Sequence, residues 1–193
     1  NPIKVDFQPE VLLQASHTAM YRAKVSGKRH HEVFTTKMQE QAFKRLQLEA
    51  DLNQAITNQE FELYYQPIIS LKTGILSGFE ALVRWQSPTR GFISPGAFIP
   101  VAEETNLIIS IGEWILYNAC LQNKQWQQQG IAPIRMSVNL SPTQFKQANL
   151  IEIIDRTLQD TGLNVDYLEL EITESLLVDD IAQAIAILQQ LKQ

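Results

Sequence analysis

Along this chain the spacing of apolar residues switches repeatedly between two periods. Phe61-Glu-Leu-Tyr-Tyr-Gln-Pro-Ile-Ile-Ser70, Ile75 to Trp85, Ile134 to Ser141 and Leu168 to Glu174 are short runs rich in branched and aromatic residues, and they read as strands. Between and after them, Ala97 to Glu104, Ile108 to Gln129, Phe145 to Thr161 and Ile181 to Leu191 repeat their apolar residues every three or four positions, and they read as helices. Local chemistry marks their ends: Ser94-Pro95 offers a cap and a first-turn proline, while Gly130 and Gly162 stand where helices stop. Lys72-Thr-Gly74 is a turn, so the first two strands form a hairpin; thereafter strand and helix alternate, which implies parallel strands joined by helical crossovers.

The amino-terminal stretch has a different texture. Glu10 to Lys24 carries Leu12, Leu13, Ala19, Met20 and Ala23 on one side of a helix, Ser26-Gly27 ends it, and Glu32-Val-Phe34 reads as a short strand. Thirty-odd residues cannot enclose a core, so residues 1–35 are expected to close a domain whose body lies upstream. A helical pattern runs from Thr36 to about Ile56, with Met38, Phe43, Leu46, Leu52 and Ile56 on or near one stripe. The expected organisation is a domain end over 1–35, a helical linker over 36–45 and a second domain over 46–193.

Composition narrows the functional classes. The 193 residues are 45% hydrophobic and 19% charged, an ordinary globular balance, and the net charge of −5 lacks the basic surface that a polymeric nucleic acid would require. Cys120 is the single cysteine, which excludes an internal disulfide or a thiolate cluster and fits a reducing, cytoplasmic setting. No uninterrupted apolar run approaches the length of a membrane span, although an upstream tether is compatible with this chain.

Within the strands, polarity falls at unexpected places. Glu80-Ala-Leu-Val-Arg84-Trp, Ser137-Val-Asn139-Leu-Ser and Glu171-Ile-Thr-Glu174 each set an oxygen-bearing side chain inside an apolar run. Side-chain alternation groups Glu80, Leu82 and Arg84 on one face, and likewise Ser137, Asn139 and Ser141, and Glu169, Glu171 and Thr173. All these polar atoms turn the same way near the carboxyl ends of their strands, the end where barrels build active sites. A lone strand carboxylate is as a rule salt-bridged, and Arg84 is a ready partner for Glu80. Three such insertions in one domain point instead to a shared cation. Hard oxygen ligands select magnesium or manganese rather than zinc.

These residues carry a resemblance. Tyr65-Gln66-Pro67-Ile68, Glu80-Ala-Leu-Val-Arg-Trp, Ser94-Pro-Gly-Ala-Phe-Ile-Pro100-Val-Ala-Glu-Glu, Val138-Asn-Leu-Ser141 and Leu170-Glu-Ile-Thr-Glu-Ser175, in this order and spacing, resemble the EAL family of cyclic-di-GMP phosphodiesterases over about residues 46–193. The resemblance implies an α/β fold, a TIM-like (β/α) barrel whose first strand is antiparallel and which is incomplete in this chain, since such a barrel takes about 250 residues. A part-barrel exposes open strand edges, so these residues by themselves are expected to be unstable and inactive.

Residue by residue, the resemblance implies that Glu80, Asn139 and Glu171 are catalytic metal ligands and that Gln66 and Arg84 touch the cyclic dinucleotide. It makes Glu174 a residue that steadies a loop over the site. The implied chemistry is divalent-metal-dependent hydrolysis to the linear dinucleotide pGpG, with two Mg2+ or Mn2+ ions whose remaining ligands, including a paired aspartate and a lysine, are not found in this chain. Asp179-Asp180 is not that pair; it reads as acids at a helix start. The alternative is a catalytically inactive EAL domain that binds cyclic-di-GMP or a protein partner.

Leu12 to Lys28 is similar to the carboxyl-terminal helix and strand of GGDEF diguanylate cyclase domains, with Lys24 and Lys28 at positions that face nucleotide phosphates in that family. The implied partners are therefore cyclic-di-GMP, an upstream GGDEF domain and sensory domains, and the arrangement admits a homodimer.

Overall fold

The computed structural model describes residues 33–172 and 181–191 and, earlier in the chain, 13, 15–17, 19–20, 23–24 and 31. The chain divides into two compact units, Asn1–Asp51 and Leu52–Gln193. In the first unit the described residues between 13 and 24 are helical, and Met38 is buried. Residue 32 lies outside the described residues, as does Lys28. Helix α1, Thr36–Thr57, contains the point of division.

The second unit is built on one sheet. Strands β1 (Phe61–Ile69) and β2 (Leu76–Ser87) form the expected hairpin, antiparallel, with Gln66 opposite Glu80 and Glu62 opposite Arg84. Beyond it, β4 (Arg135–Leu140) and β5 (Leu168–Ile172) add in parallel, so the order is β1-β2-β4-β5. A short strand that the sequence pattern does not predict, β3 (Gly91–Ile93), pairs antiparallel with the end of β2. Three residues are too few for a periodic signal, and the tight Pro88-Thr-Arg90 turn creates it. Among the described residues the sheet does not close: β1 pairs only with β2, and β5 only with β4. The architecture is α/β, a mixed sheet with helices, the opening part of a TIM-like barrel with an antiparallel first strand.

Helices α2 (Pro95–Glu104) and α3 (Leu107–Gln128) follow the predicted spans, with Ser94 at the cap and proline in the first turn of α2. The helix expected over Phe145–Thr161 is two pieces. Ser141 starts a single turn, α4 (Pro142–Phe145), and α5 (Leu150–Thr161) begins five residues later. The apolar periodicity bridges the break, but the hydrogen-bonding side chains of Ser141 and Gln144 spend themselves on the short turn. Gly162 closes α5 in the left-handed conformation that glycine adopts without strain. The last described helix, α6, spans Ile181–Gln190. No described helix is long and apolar enough to cross a membrane.

Alternation on β2 and β4 decides where the core lies. Ala81, Val83, Trp85, Met136, Val138 and Leu140 are buried against the helices. Trp85 is fully buried among Phe61 and Phe98, with ring centroids 5.8 and 5.5 Å away, and its indole N–H donates to Glu60 Oε2 at 2.9 Å. Trp126 of α3 is half-buried and packs on Tyr65 and Phe79, with ring centroids 4.9 and 5.0 Å away. Burial pushes the Tyr65 hydroxyl up to about 12 and the Cys120 thiol likewise to about 12. Since the reactive species is the thiolate, native Cys120 is expected to resist iodoacetamide and to label completely in urea, as read by mass spectrometry. Rapid native labelling would contradict its burial.

Candidate functional site

On the other face of the sheet, the register of three strands gathers the polar residues. Glu80 lies opposite Gln66 on β1 and beside Ser137 on β4; Asn139 lies beside Glu171 on β5. Neighbours in register share a face, so Gln66, Glu80, Ser137, Asn139 and Glu171 all project to the same side. Glu80 and Asn139 meet directly: the Asn139 amide Nδ2 donates to Glu80 Oε1 at 2.6 Å. That leaves the Asn139 carbonyl oxygen and the carboxylates of Glu80 and Glu171 as an all-oxygen donor set, suited to a hard divalent cation.

Their place inside apolar runs does not bury these side chains deeply. Glu80 and Glu171 are half-buried and Asn139 is exposed, because the apolar residues that flank them point to the helices while they face the open side. Desolvation is therefore modest, and a cation has a route in. Glu169, on the same face two residues before Glu171, belongs to a different arrangement: its carboxylate pairs with Arg135 at 3.4 Å, at the amino ends of β4 and β5. Among the described residues no three His, Cys, Asp or Glu side chains cluster, which is consistent with a set of two acids and one amide. Glu174 lies outside the described residues, as do Asp179 and Asp180.

Arg84 does not turn back to Glu80. Its Nη1 donates to the Val83 carbonyl at 2.8 Å, and its guanidinium sits 5.4 Å from the centre of the Tyr64 ring. A cation over an aromatic face is attracted by the ring's quadrupole, so the arginine is steadied while its other N–H groups remain available. Tyr64 does not stand out in the sequence. The available signal is period two: in β1 it stands two residues before Gln66 and hence on the same face.

The parallel ladder between β2 and β4 ends at the pair Ala81 and Val138, although β2 continues to Ser87. Where the strands part, a cavity of about 390 Å³ opens, lined among others by Leu82, Arg84, Pro95, Glu103, Asn139 and Gln144. It places apolar walls beside an arginine, an acid and two amides, the mixture that holds an organic anion.

The chain is similar to known proteins. The EAL domain family profile matches residues 49–193. The bifunctional diguanylate cyclase/cyclic di-GMP phosphodiesterase MucR of Pseudomonas aeruginosa is 40% identical over 182 residues, 94% of this chain and 26% of that protein. The cyclic di-GMP phosphodiesterase PdeR of Escherichia coli is 36% identical over 182 residues, 94% of this chain and 27% of that protein. Among solved structures, a MucR phosphodiesterase in complex with c-di-GMP superimposes with a TM-score of 0.73 at 42% identity, over 76% of this chain and 59% of that one. The chain thus spans about a quarter of the length of these two curated relatives.

Proposed function

The chain belongs to the EAL domain family, and from that premise we propose that the full-length protein hydrolyses cyclic-di-GMP to the linear dinucleotide pGpG, with Glu80, Asn139 and Glu171 as ligands of a divalent metal. The observation that carries the reading is the direct contact of Glu80 with Asn139, from two parallel strands, with Glu171 in register beside Asn139. The relatives named as cyclic di-GMP phosphodiesterases support it.

In this reading Glu80, Asn139 and Glu171 hold Mg2+ or Mn2+ through side-chain oxygens, and further ligands come from parts of the domain outside this chain. The bound metal supplies an activated water and neutralises charge on the phosphodiester. Glu80 is oriented for this by the Asn139 amide, which occupies one of its carboxylate oxygens. Arg84, held over Tyr64, binds a phosphate oxygen or a guanine edge, and Gln66, opposite Glu80, hydrogen-bonds the dinucleotide. Glu174 steadies the segment after β5. Residues 1–35 form the end of a GGDEF domain, 36–45 a helical linker and 46–193 the EAL domain. The bifunctional name of MucR supports an upstream cyclase domain. The protein acts in the cytoplasm, with sensory domains upstream.

The test is the conversion of cyclic-di-GMP to pGpG by the full-length protein with Mg2+ or Mn2+, followed by chromatography. Arg84→Ala is expected to raise KM about 10-fold or more with a smaller change in kcat, the loss expected for a charge-assisted hydrogen bond of roughly 1.5–3 kcal/mol. Binding of the dinucleotide without turnover would leave a binding module in place of an enzyme.

A further inference from the structure

We infer that Gln144 is a positioning residue for Asn139, setting the backbone at the end of β4 so that the Asn139 amide meets Glu80. The inference rests on the reading of Glu80 and Asn139 as metal ligands. Asn139 sits where β4 parts from β2. The β2–β4 register has ended one residue earlier, at Ala81 and Val138, so Asn139 is the first residue of β4 with no register partner on β2. On the β5 side the ladder continues through Leu140 and Ile172. The residues after Asn139 must then supply the missing constraint.

Two residues on, the chain supplies it. Ser141 Oγ accepts from the Gln144 backbone N–H at 3.3 Å. In return, Gln144 Oε1 accepts from the Ser141 backbone N–H at 3.2 Å and from the Ser141 hydroxyl at 2.9 Å. This reciprocal box ties the first residue after β4 to the turn of α4, and Pro142 removes backbone freedom between them. The Gln144 side chain is itself confined. It is 7% exposed and lies against Gly112 of α3, where an added methyl group would overlap its amide. A glycine on the buried face of a long helix lowers helix propensity; here it makes the space that the glutamine occupies. The chain Gly112, Gln144, Ser141, Asn139, Glu80 therefore runs from the core helix to the candidate ligands, and Gln144 and Asn139 line the same cavity.

Supporting groups behind a ligand typically govern metal affinity by 10–100-fold. The experiment is Mn2+ titration calorimetry on the full-length protein, wild type and Gln144→Ala, Gln144→Glu, Ser141→Ala and Gly112→Ala, with Ile153→Val as a core control and thermal melting alongside. Gln144→Ala is expected to weaken Mn2+ binding about 10-fold or more. Gln144→Glu, which keeps the accepting oxygen of the box, is expected to restore affinity to within about 3-fold of wild type. Ser141→Ala and Gly112→Ala should weaken binding in the same direction, and Ile153→Val should lower the melting point without moving Mn2+ affinity. Wild-type Mn2+ affinity in Gln144→Ala, or a loss no larger than the control's, overturns the inference while the ligand reading stands. So does failure of the glutamate variant to recover affinity. A wild-type protein that binds no Mn2+ overturns both.

Discussion

Glu80→Ala in the full-length protein is expected to abolish hydrolysis of cyclic-di-GMP, a fall of more than about a thousandfold in kcat. The size follows from what the carboxylate is asked to do. A ligand that fixes a catalytic cation contributes several kcal/mol of charge stabilisation in the transition state, and each 1.36 kcal/mol is tenfold in rate. The same substitution should cost the fold little. Glu80 is half-buried, and its hydrogen-bond partner, the Asn139 amide, is exposed and can turn to water. Formation of pGpG followed by chromatography, with melting curves in parallel, separates the two effects. Unchanged turnover in the variant removes Glu80 from the metal site; lost turnover with a collapsed melting curve returns it to a structural role.

The second large effect concerns stability. Trp85→Ala is expected to destabilise the domain by about 3–5 kcal/mol, the range for deleting a buried aromatic side chain. Trp85 is fully buried, packs against Phe61 and Phe98, and donates its indole N–H to Glu60, which also accepts from Asn58 Nδ2 at 3.1 Å. Truncation would open a cavity between the hairpin and α2 and leave the Glu60 carboxylate without its bond to β2, while the backbone bond from Gln86 N–H to the Glu60 carbonyl remains. Urea unfolding of the full-length protein, followed by tryptophan fluorescence and circular dichroism, measures it. The adjacent residue provides the contrast: Gln86 is exposed, and Gln86→Ala should stay within about 0.5 kcal/mol of wild type. Equal effects at the two positions would refute the inward placement of Trp85.

Much of this architecture was legible from the chain because it is local. Helices α2 and α3 and the hairpin are written in periodicity and in end signals such as Ser94-Pro95 and Gly130, which act over a few residues. The faces of the strands followed in the same way, since alternation with period two needs no knowledge of neighbours. The misreadings lie where a local signal competes with another. The apolar stripe from Phe145 to Thr161 outlasts its helix because the Ser141–Gln144 box claims the first turn, and β3 is too short to announce itself.

The candidate site divides along the same line. That Glu80, Asn139 and Glu171 each face away from the apolar side was decided by the sequence, through the fixed pleat of a strand. Which of them touch was decided by register, a property of strand pairing rather than of any one strand. Pairing set Asn139 beside Glu171, left Glu169 to Arg135, and brought Asn139 to Glu80 from 59 positions away. The early end of the β2–β4 ladder, and with it the cavity and the need for Gln144 to hold the strand end, arises only when the strands diverge in three dimensions. Sequence periodicity records the direction in which a side chain points, and only tertiary structure records the distance to what it meets.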